Sequence, residues 1–540
     1  MSAAARRELG IVLAFVCLLF IPFSGKAFHM DEPLFLAPAR HITTDPLHPL
    51  DFQFNWYGRS VPMSAVNNTP PLMLYALAGA IKLSGEREAA TRLLFLPFDL
   101  LAAAALYFLA RRFLSRPLMP VLIVIASPAY MICLNLLYPE KLAAAFGFCG
   151  LYALVRGVDE EQPRWFWGSA TLLMAALLSK YAAVLFLLPA AGYALHRGVP
   201  PRRVVLHLAL CGAGLAAWLA WDLFTSRSAA GAAWQVTSQA AGLLTSSWPH
   251  KLRSTLAFAG GCGVVTAFWP WLAFRGSVWL RGSVAGFCLL LFAPGLDLAP
   301  LVRPLDRATG LLLSAGALFG LYGLFSRAGR ARGGVLWAYW AVGVLLLLLF
   351  LYWSILARLV VFMIPPLVFS AAEALEAEWP AARLRRLYGV SLGLTLVLSL
   401  ALAWVDLRYA DAQRSMAAQV AREYAGSGRK VWFDGHWGLQ YYLERAGAEQ
   451  LDGSRGGWEL VKPGDVVIVP RVNSNLLSAK KKVLADVGSV EVGSRVPLRL
   501  ISGWAGEGGF YSNTTGFLPY SLSGEPLEEF SVVELVLPSR

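Results

Sequence analysis

The tetrapeptide His29-Met30-Asp31-Glu32 follows directly on the first apolar run of the chain and sets a histidine beside two adjacent carboxylates. A carboxylate at the boundary of water and lipid stays ionised while partly shielded, so it can take a proton from a hydroxyl nucleophile. Three further ionisable groups interrupt apolar sequence: Glu140 in Tyr138-Pro139-Glu140-Lys141, Lys180 in Ser179-Lys180-Tyr181, and Arg358 in Leu356-Ala357-Arg358-Leu359. Charged side chains at membrane depth are costly and tend to mark a pathway or an active site. Each of them alone also fits a snorkelling or helix-capping role. Together they fit one chemistry, in which a hydroxyl loses its proton to a carboxylate and attacks while a phosphate leaves toward cations.

A lipid-linked phospho-sugar would satisfy both that chemistry and its location. ATP would not, because the chain has no GxxxxGK[ST] loop to cradle nucleotide phosphates. Trp56 and Tyr57, in the same outer segment as Asp31, can stack on a sugar face or anchor the chain at the interface. His29, Asp31, Glu32 and Glu140 offer hard ligands for a divalent cation, with Asp31 and Glu140 the candidate metal residues; an acid–base site without metal accounts for them equally well. His436, in Asp434-Gly435-His436-Trp437, reads as a packed loop histidine.

The elements that must position these residues follow from composition. Of 540 residues, 57% are hydrophobic and 15% charged, with a mean hydropathy of +0.54; soluble domains carry about a quarter charged residues. Runs such as residues 342–352 point to a polytopic α-helical membrane protein. Counting runs of roughly 20 residues or slightly fewer gives about thirteen spans. Their centres lie near Phe15, Leu101, Val124, Phe148, Leu172, Phe186, Ala213, Val265, Leu289, Ala317, Leu346, Ile364 and Leu396. Residues 9–25 read as an uncleaved first span, since Pro22, Phe23, Gly25 and Lys26 make a poor cleavage site.

The net charge of +13 resides in short basic clusters between apolar runs, such as Arg111-Arg112 with Arg116, Arg275 to Arg281 and Arg327 to Arg332. Their recurrence after every second span is a topology signal rather than a nucleic-acid face, and it places these loops and the N-terminus in the cytoplasm. An odd number of spans then puts the tail outside, together with the loop 28–92 that holds Asp31. The expected division is a transmembrane domain over 1–406 and a small extracytoplasmic α/β domain over 407–540. In that tail, residues 430–434 and 465–470 read as strands, and 438–445 and 476–487 as helices. Residues 72–83 read as an amphipathic helix along the membrane surface. The six cysteines all fall in or beside apolar segments and suggest packing rather than disulfides or metal ligation.

Taken in order, the motifs resemble a known superfamily: the integral-membrane C-type glycosyltransferases that use polyprenyl-phosphate sugars, in the protein O-mannosyltransferase and aminoarabinose-transferase group. His29-Met30-Asp31-Glu32 is similar to its His-Phe-Asp-Glu element, and Pro70-Pro71-Leu72 with Tyr75 to its Pro-Pro-Leu stretch. Ser127-Pro128 followed by Pro139-Glu140 resembles a segment ending in Pro-Asp. Leu178-Ser179-Lys180-Tyr181 resembles Leu-x-Lys-Tyr, and Ala357-Arg358-Leu359 with Pro365-Pro366 resembles Arg-Tyr followed by proline. Thr69, where aminoarabinose transferases carry lysine, and Leu359, where tyrosine is usual, argue against a lipid A aminoarabinose role.

The resemblance implies a GT-C fold in the cytoplasmic (inner) membrane, with Asp31 as general base, Glu32 placing the acceptor, and Glu140 orienting the acceptor or assisting a divalent cation. Lys180 and Arg358 would contact the lipid phosphate, with His29, Tyr181, Trp56 and Tyr57 as further substrate contacts. The implied reaction is a single inverting displacement that moves a sugar from a polyprenyl-phosphate donor to a hydroxyl of a protein, lipid or glycan. A polyprenyl-lipid transporter or flippase, and a non-catalytic scaffold of the same fold, are the competing readings.

Overall fold

The structure is a computed structural model that describes residues 2–67, 69–225, 248–273, 278–293, 302–424, 426–473 and 483–536. All thirteen expected span centres fall on helical turns. Seven helices among the described residues are long and apolar enough to cross a membrane: Glu88–Phe113, Pro139–Asp159, Pro201–Phe224, Trp248–Leu272, Pro304–Ser326, Gly334–Leu351 and Ala381–Tyr424. Pro71–Ser84, Tyr181–His196 and Trp279–Leu291 are shorter apolar helices. Arg275, from one of the basic clusters, lies outside the described residues.

Local sequence explains where these helices begin and stop. Pro71, Pro139, Pro163 and Pro304 each open a helix, where a missing N–H costs nothing and the fixed φ is already helical. Gly85, at φ +63°, closes Pro71–Ser84 by donating its N–H to the carbonyl of Ile81. Leu118–Ala126 stops at Ser127-Pro128, and a wide π turn over Ala129–Cys133 continues the path. Glycines set the helix spacing: Gly260 lies against the Leu313 backbone and Gly343 against that of Leu185, so a Cβ at either would collide with main chain.

The region outside the helical bundle, called the outer region for its place beside the bundle, is built on the 44-residue helix Ala381–Tyr424. It leaves the membrane core without a break, so the expected boundary at 406/407 falls inside a single element. Beyond it lies a five-stranded mixed sheet in the order Glu449–Gln450, Val431–Phe433, Val466–Pro470, Glu528–Val536, Val483–Val492. The first three strands run parallel and the last two are antiparallel additions. Helix Trp437–Arg445 packs with Ala381–Tyr424 over one sheet face, burying Leu439 and Leu443 against Phe433, Val466 and Ile468.

Strands at 430–434 and 465–470 and the helix at 438–445 are as expected. The helix expected over 476–487 is not: residues 483–487 lie in strand Val483–Val492, where Leu484 pairs with Leu535 and Asp486 with Val533. Pairing with a buried neighbouring strand overrides the local pattern there. Residues 474–482, including Lys480 to Lys482, lie outside the described residues.

Two long segments fasten the outer region to the membrane helices. Residues 28–67 form helix Glu32–Ile42 and the ribbon Gln53–Asn55/Ser60–Pro62, whose turn docks on the outer domain. There Gly453 N–H donates to Gly58 O at 2.8 Å, and Asn55 Nδ2 donates to Leu451 O at 3.0 Å. Residues 498–522 turn back into the helical bundle, where Phe510, Phe517 and Leu518 join its main core. Asn513 is the peg of that insertion. Its Oδ1 accepts from Ile355 N–H at 3.0 Å and from Ser354 at 2.8 Å, while its carbonyl meets His250 Nε2 at 3.1 Å.

Below the outer region, Glu32 and Arg92 form a sealed clamp. Arg92 Nη2 donates to both carboxylate oxygens of Glu32, at 2.9 and 2.7 Å. The same carboxylate accepts the N–H of His29 at 3.0 Å and of Leu137 at 2.9 Å. One buried acid therefore ties the loop before Glu32–Ile42, which holds Met30 at φ +50°, to the loop before Pro139–Asp159.

Removing one member of a buried pair leaves the other charge uncompensated, at a cost of about 3–5 kcal/mol. Arg92→Met should lower the thermal unfolding midpoint in detergent strongly, with partial recovery in the Arg92→Met, Glu32→Gln double variant. Asn513→Ala strands the buried Ile355 N–H and should cost about 1–3 kcal/mol. Limited chymotrypsin digestion of that variant should show earlier cutting within 498–522 while the rest of the chain is cut as in the wild type.

Candidate active site

The four charged residues singled out by their positions all sit at interruptions of helix. Asp31 is the N-cap of Glu32–Ile42, and Glu140 is the second residue of Pro139–Asp159. Lys180 is the extended residue between helix Pro163–Ser179 and the 3-10 turn Tyr181–Phe186. Arg358 is the second residue of the short helix Ala357–Val360, after the extended residue Leu356. Non-helical backbone at membrane depth is tolerated where it lines a cavity, and here it does.

The four converge. Arg358 Nη1 lies 2.7 Å from Asp31 Oδ2, and Arg358 Nε lies 3.4 Å from Glu140 Oε1. Lys180 Nζ lies 3.5 Å from the same Glu140 oxygen. The result is a row of alternating sign: Asp31, Arg358, Glu140, Lys180. Tyr138 supports it, with the Arg358 guanidinium 5.0 Å above its ring and its hydroxyl accepting the Asp31 N–H at 3.4 Å.

Asp31, Arg358 and Lys180 open into a cavity of about 630 Å³. Part of its wall is apolar and faces outward: Val184, Phe350 and Leu351 line the cavity and are themselves exposed. Tyr181, Trp56 and Tyr57 also line it, Tyr57 with its ring largely exposed and Trp56 buried. A further part of the wall comes from the tail, through His436, Trp437, Tyr511, Ser512, Thr514 and Thr515. Of these, only His436 has a sequence signal, as a polar residue between strand and helix. Residues 511–515 have none, because only the insertion of 498–522 into the bundle brings them here.

Three expected site residues do not line the cavity. Glu32 is fully buried and saturated by Arg92 and two backbone N–H groups, so it cannot touch an acceptor. His29 is fully buried too: its Nε2 lies 3.5 Å from Asp406 Oδ2 and its ring packs edge-on against Tyr511 and Tyr409. Asp406 also receives Lys26 at 2.6 Å and the Tyr511 hydroxyl. This network fastens the segment after the first helix to the tail. Glu140 is fully buried behind the cavity and meets the two cations rather than the cavity space.

Among the described residues no three His, Cys, Asp or Glu side chains are placed to hold a metal ion. The two candidate ligands, Asp31 and Glu140, each face a cationic side chain.

Residues 68–221 match the family model described as dolichyl-phosphate-mannose-protein mannosyltransferase. No curated protein matches the chain. Among solved structures, ArnT from Cupriavidus metallidurans bound to undecaprenyl phosphate is 16% identical over 87% of this chain and 93% of its own, with a TM-score of 0.49. The archaeal oligosaccharyltransferase AglB from Archaeoglobus fulgidus, in complex with an inhibitory peptide and a dolichol-phosphate, is 11% identical over 86% of this chain and 69% of its own, with a TM-score of 0.47. The match at 68–221 holds Glu140 and Lys180, while Asp31 and Arg358 come from outside it. The resemblance read from the short motifs is therefore shown for this stretch: the chain is a multi-pass membrane protein whose residues 68–221 are similar to the dolichyl-phosphate-mannose-protein mannosyltransferase family.

Proposed function

We propose that this protein is an inverting glycosyltransferase that moves a sugar from a polyprenyl-phosphate donor to a hydroxyl acceptor at the outer face of the cytoplasmic membrane. The observation that carries the reading is the juxtaposition of Asp31 with Arg358 and Lys180 in one cavity whose wall is partly apolar and outward-facing. A soluble substrate has no use for that flank. A phosphate on a lipid chain does: the chain remains among Val184, Phe350 and Leu351 while the phosphate meets the cations.

In this reading the acceptor hydroxyl gives its proton to an Asp31 oxygen as its own oxygen attacks the anomeric carbon. The bond from that carbon to the phosphate oxygen breaks in the same step, with attack from the opposite face, which inverts the anomeric configuration. The departing phosphate takes up the electron pair, and its charge is met by Arg358 and Lys180 in a site shielded from bulk water. Arg358 engages Asp31 through Nη1 and keeps Nη2 for the phosphate; as a planar fork it is suited to that double role. Glu140 is a positioning residue that holds both cations toward the cavity.

The tail beyond residue 406 shares the outer side with Asp31, as the basic-loop pattern implies, and the N-terminus is cytoplasmic. A flippase reading places charges in repeated halves at mid-membrane, and no observation here favours it over transfer.

In membrane vesicles supplied with labelled polyprenyl-phosphate sugars, Asp31→Asn should lower transfer by about 10²–10⁴-fold, the range of a lost general base. Undiminished transfer by that variant would exclude Asp31 as the base. Arg358→Lys should lose more activity than a simple charge count implies, because an ammonium cannot serve carboxylate and phosphate as a fork does. Glu140→Gln should reduce transfer by loosening both cations, and the measured rates should rank Asp31→Asn below Glu140→Gln.

A further inference from the structure

We infer that His436 and Trp437 of the tail, together with Tyr57 of the outer loop, form a carbohydrate platform in the cavity, and that the acceptor hydroxyl belongs to a neutral sugar. The inference rests on the glycosyltransferase reading and names the acceptor class for the same cavity.

The loop Asp434-Gly435-His436-Trp437 follows strand Val431–Phe433 and opens helix Trp437–Arg445. It thus lies at the carboxyl end of the parallel part of the sheet, the edge where open α/β sheets take ligands. Its backbone is held in conformations that side chains rarely adopt: Gly435 has φ +108° and Trp437 φ +57°. A bulky residue in the left-handed region persists only when its surroundings over-determine it, and such residues cluster at ligand sites. Asn473 supplies part of that constraint, with Nδ2 donating to His436 O at 2.6 Å. Gly435 itself packs so closely on the Asn473 carbonyl that a Cβ would collide with it.

The constrained loop presents rings. The His436 imidazole lies 4.7 Å from the Trp56 ring, 5.7 Å from Tyr57 and 5.2 Å from Trp437, and all four residues line the cavity that holds Asp31. Aromatic faces take the C–H faces of sugar rings, and a polar tip on each ring can bond a hydroxyl. Another part of the same wall carries the hydroxyls of Ser512, Thr514 and Thr515.

Charge selects the class of sugar. Asp31, Lys180 and Arg358 are the Asp, Glu, Lys and Arg residues among the described lining residues, and both cations are already paired with Asp31 or Glu140. An anionic acceptor entering beside a leaving phosphate would meet no further Lys or Arg on the wall. A neutral polyol meets rings and hydroxyls that suit it.

The full-length protein in nanodiscs, titrated with a panel of neutral oligosaccharides, acidic oligosaccharides, a neutral serine- and threonine-containing peptide and decaprenyl phosphate, tests this through intrinsic tryptophan fluorescence. Saturable binding of at least one neutral oligosaccharide is expected, weakened tenfold or more by His436→Ala and by Tyr57→Ala and restored by Tyr57→Phe. Decaprenyl phosphate binding, retained in these variants, serves as the folding control. Trp437→Gly removes the ring and relieves the left-handed backbone, so a loss of sugar binding in that variant with its thermal midpoint kept supports the platform independently. Binding of acidic saccharides or peptide alone, neutral binding that survives these substitutions, or no saccharide binding overturns the inference. Failure of the wild type to bind decaprenyl phosphate would instead count against the glycosyltransferase reading beneath it.

Discussion

The row Asp31, Arg358, Glu140, Lys180 is the constraint on which the rest of the structure depends. Four ionisable groups from four distant segments cannot share a partly desolvated site unless their signs alternate, because each unpaired charge there would cost several kcal/mol. Pairing also explains why the helices break where they do. Each of the four residues sits at a helix start or stop, where backbone groups free of the helical ladder can be met by water or by the cavity. Glu140, sealed behind the cavity, meets both cations with one oxygen and so holds Arg358 and Lys180 at a common point.

A second layer keeps that row in register. The Glu32–Arg92 clamp fixes the loops that deliver Asp31 and Glu140, through the N–H groups of His29 and Leu137. The Lys26, His29, Tyr511 and Asp406 network ties the segment after the first helix and the inserted tail segment to the long helix Ala381–Tyr424. Both are buried and hydrogen-bonded, as isolated charges at this depth cannot be. Two residues whose types suggested chemistry, Glu32 and His29, are therefore sealed inside these networks and serve geometry.

The tail is as much a wall of the cavity as an appended domain. Its sheet carries the His436-Trp437 loop to one part of the cavity, and residues 511–515 are carried to another by the insertion of 498–522 among the helices. A cavity closed partly by membrane helices and partly by an outer domain gives two chemically distinct surfaces: an apolar flank at Val184, Phe350 and Leu351, and a flank of rings and hydroxyls. In the proposed reaction the first takes the lipid chain of the donor and the second the acceptor.

By itself the sequence determined that the chain is a multi-pass helical membrane protein, where its apolar runs are centred, and that Asp31, Glu140, Lys180 and Arg358 are out of place in lipid. Those are local properties: hydropathy over about twenty residues, a proline that opens a helix, and a charge that hydrocarbon does not tolerate. The tertiary structure alone decided that Glu32 and His29 are sealed from the cavity, because whether a carboxylate faces substrate or a buried arginine depends on Arg92, sixty residues away in sequence. It likewise decided that residues 483–487 form a strand, since the partner at 533–536 is remote in sequence. The place of His436, Trp437 and Ser512 on the cavity wall follows from packing between distant segments, which no periodicity or spacing encodes.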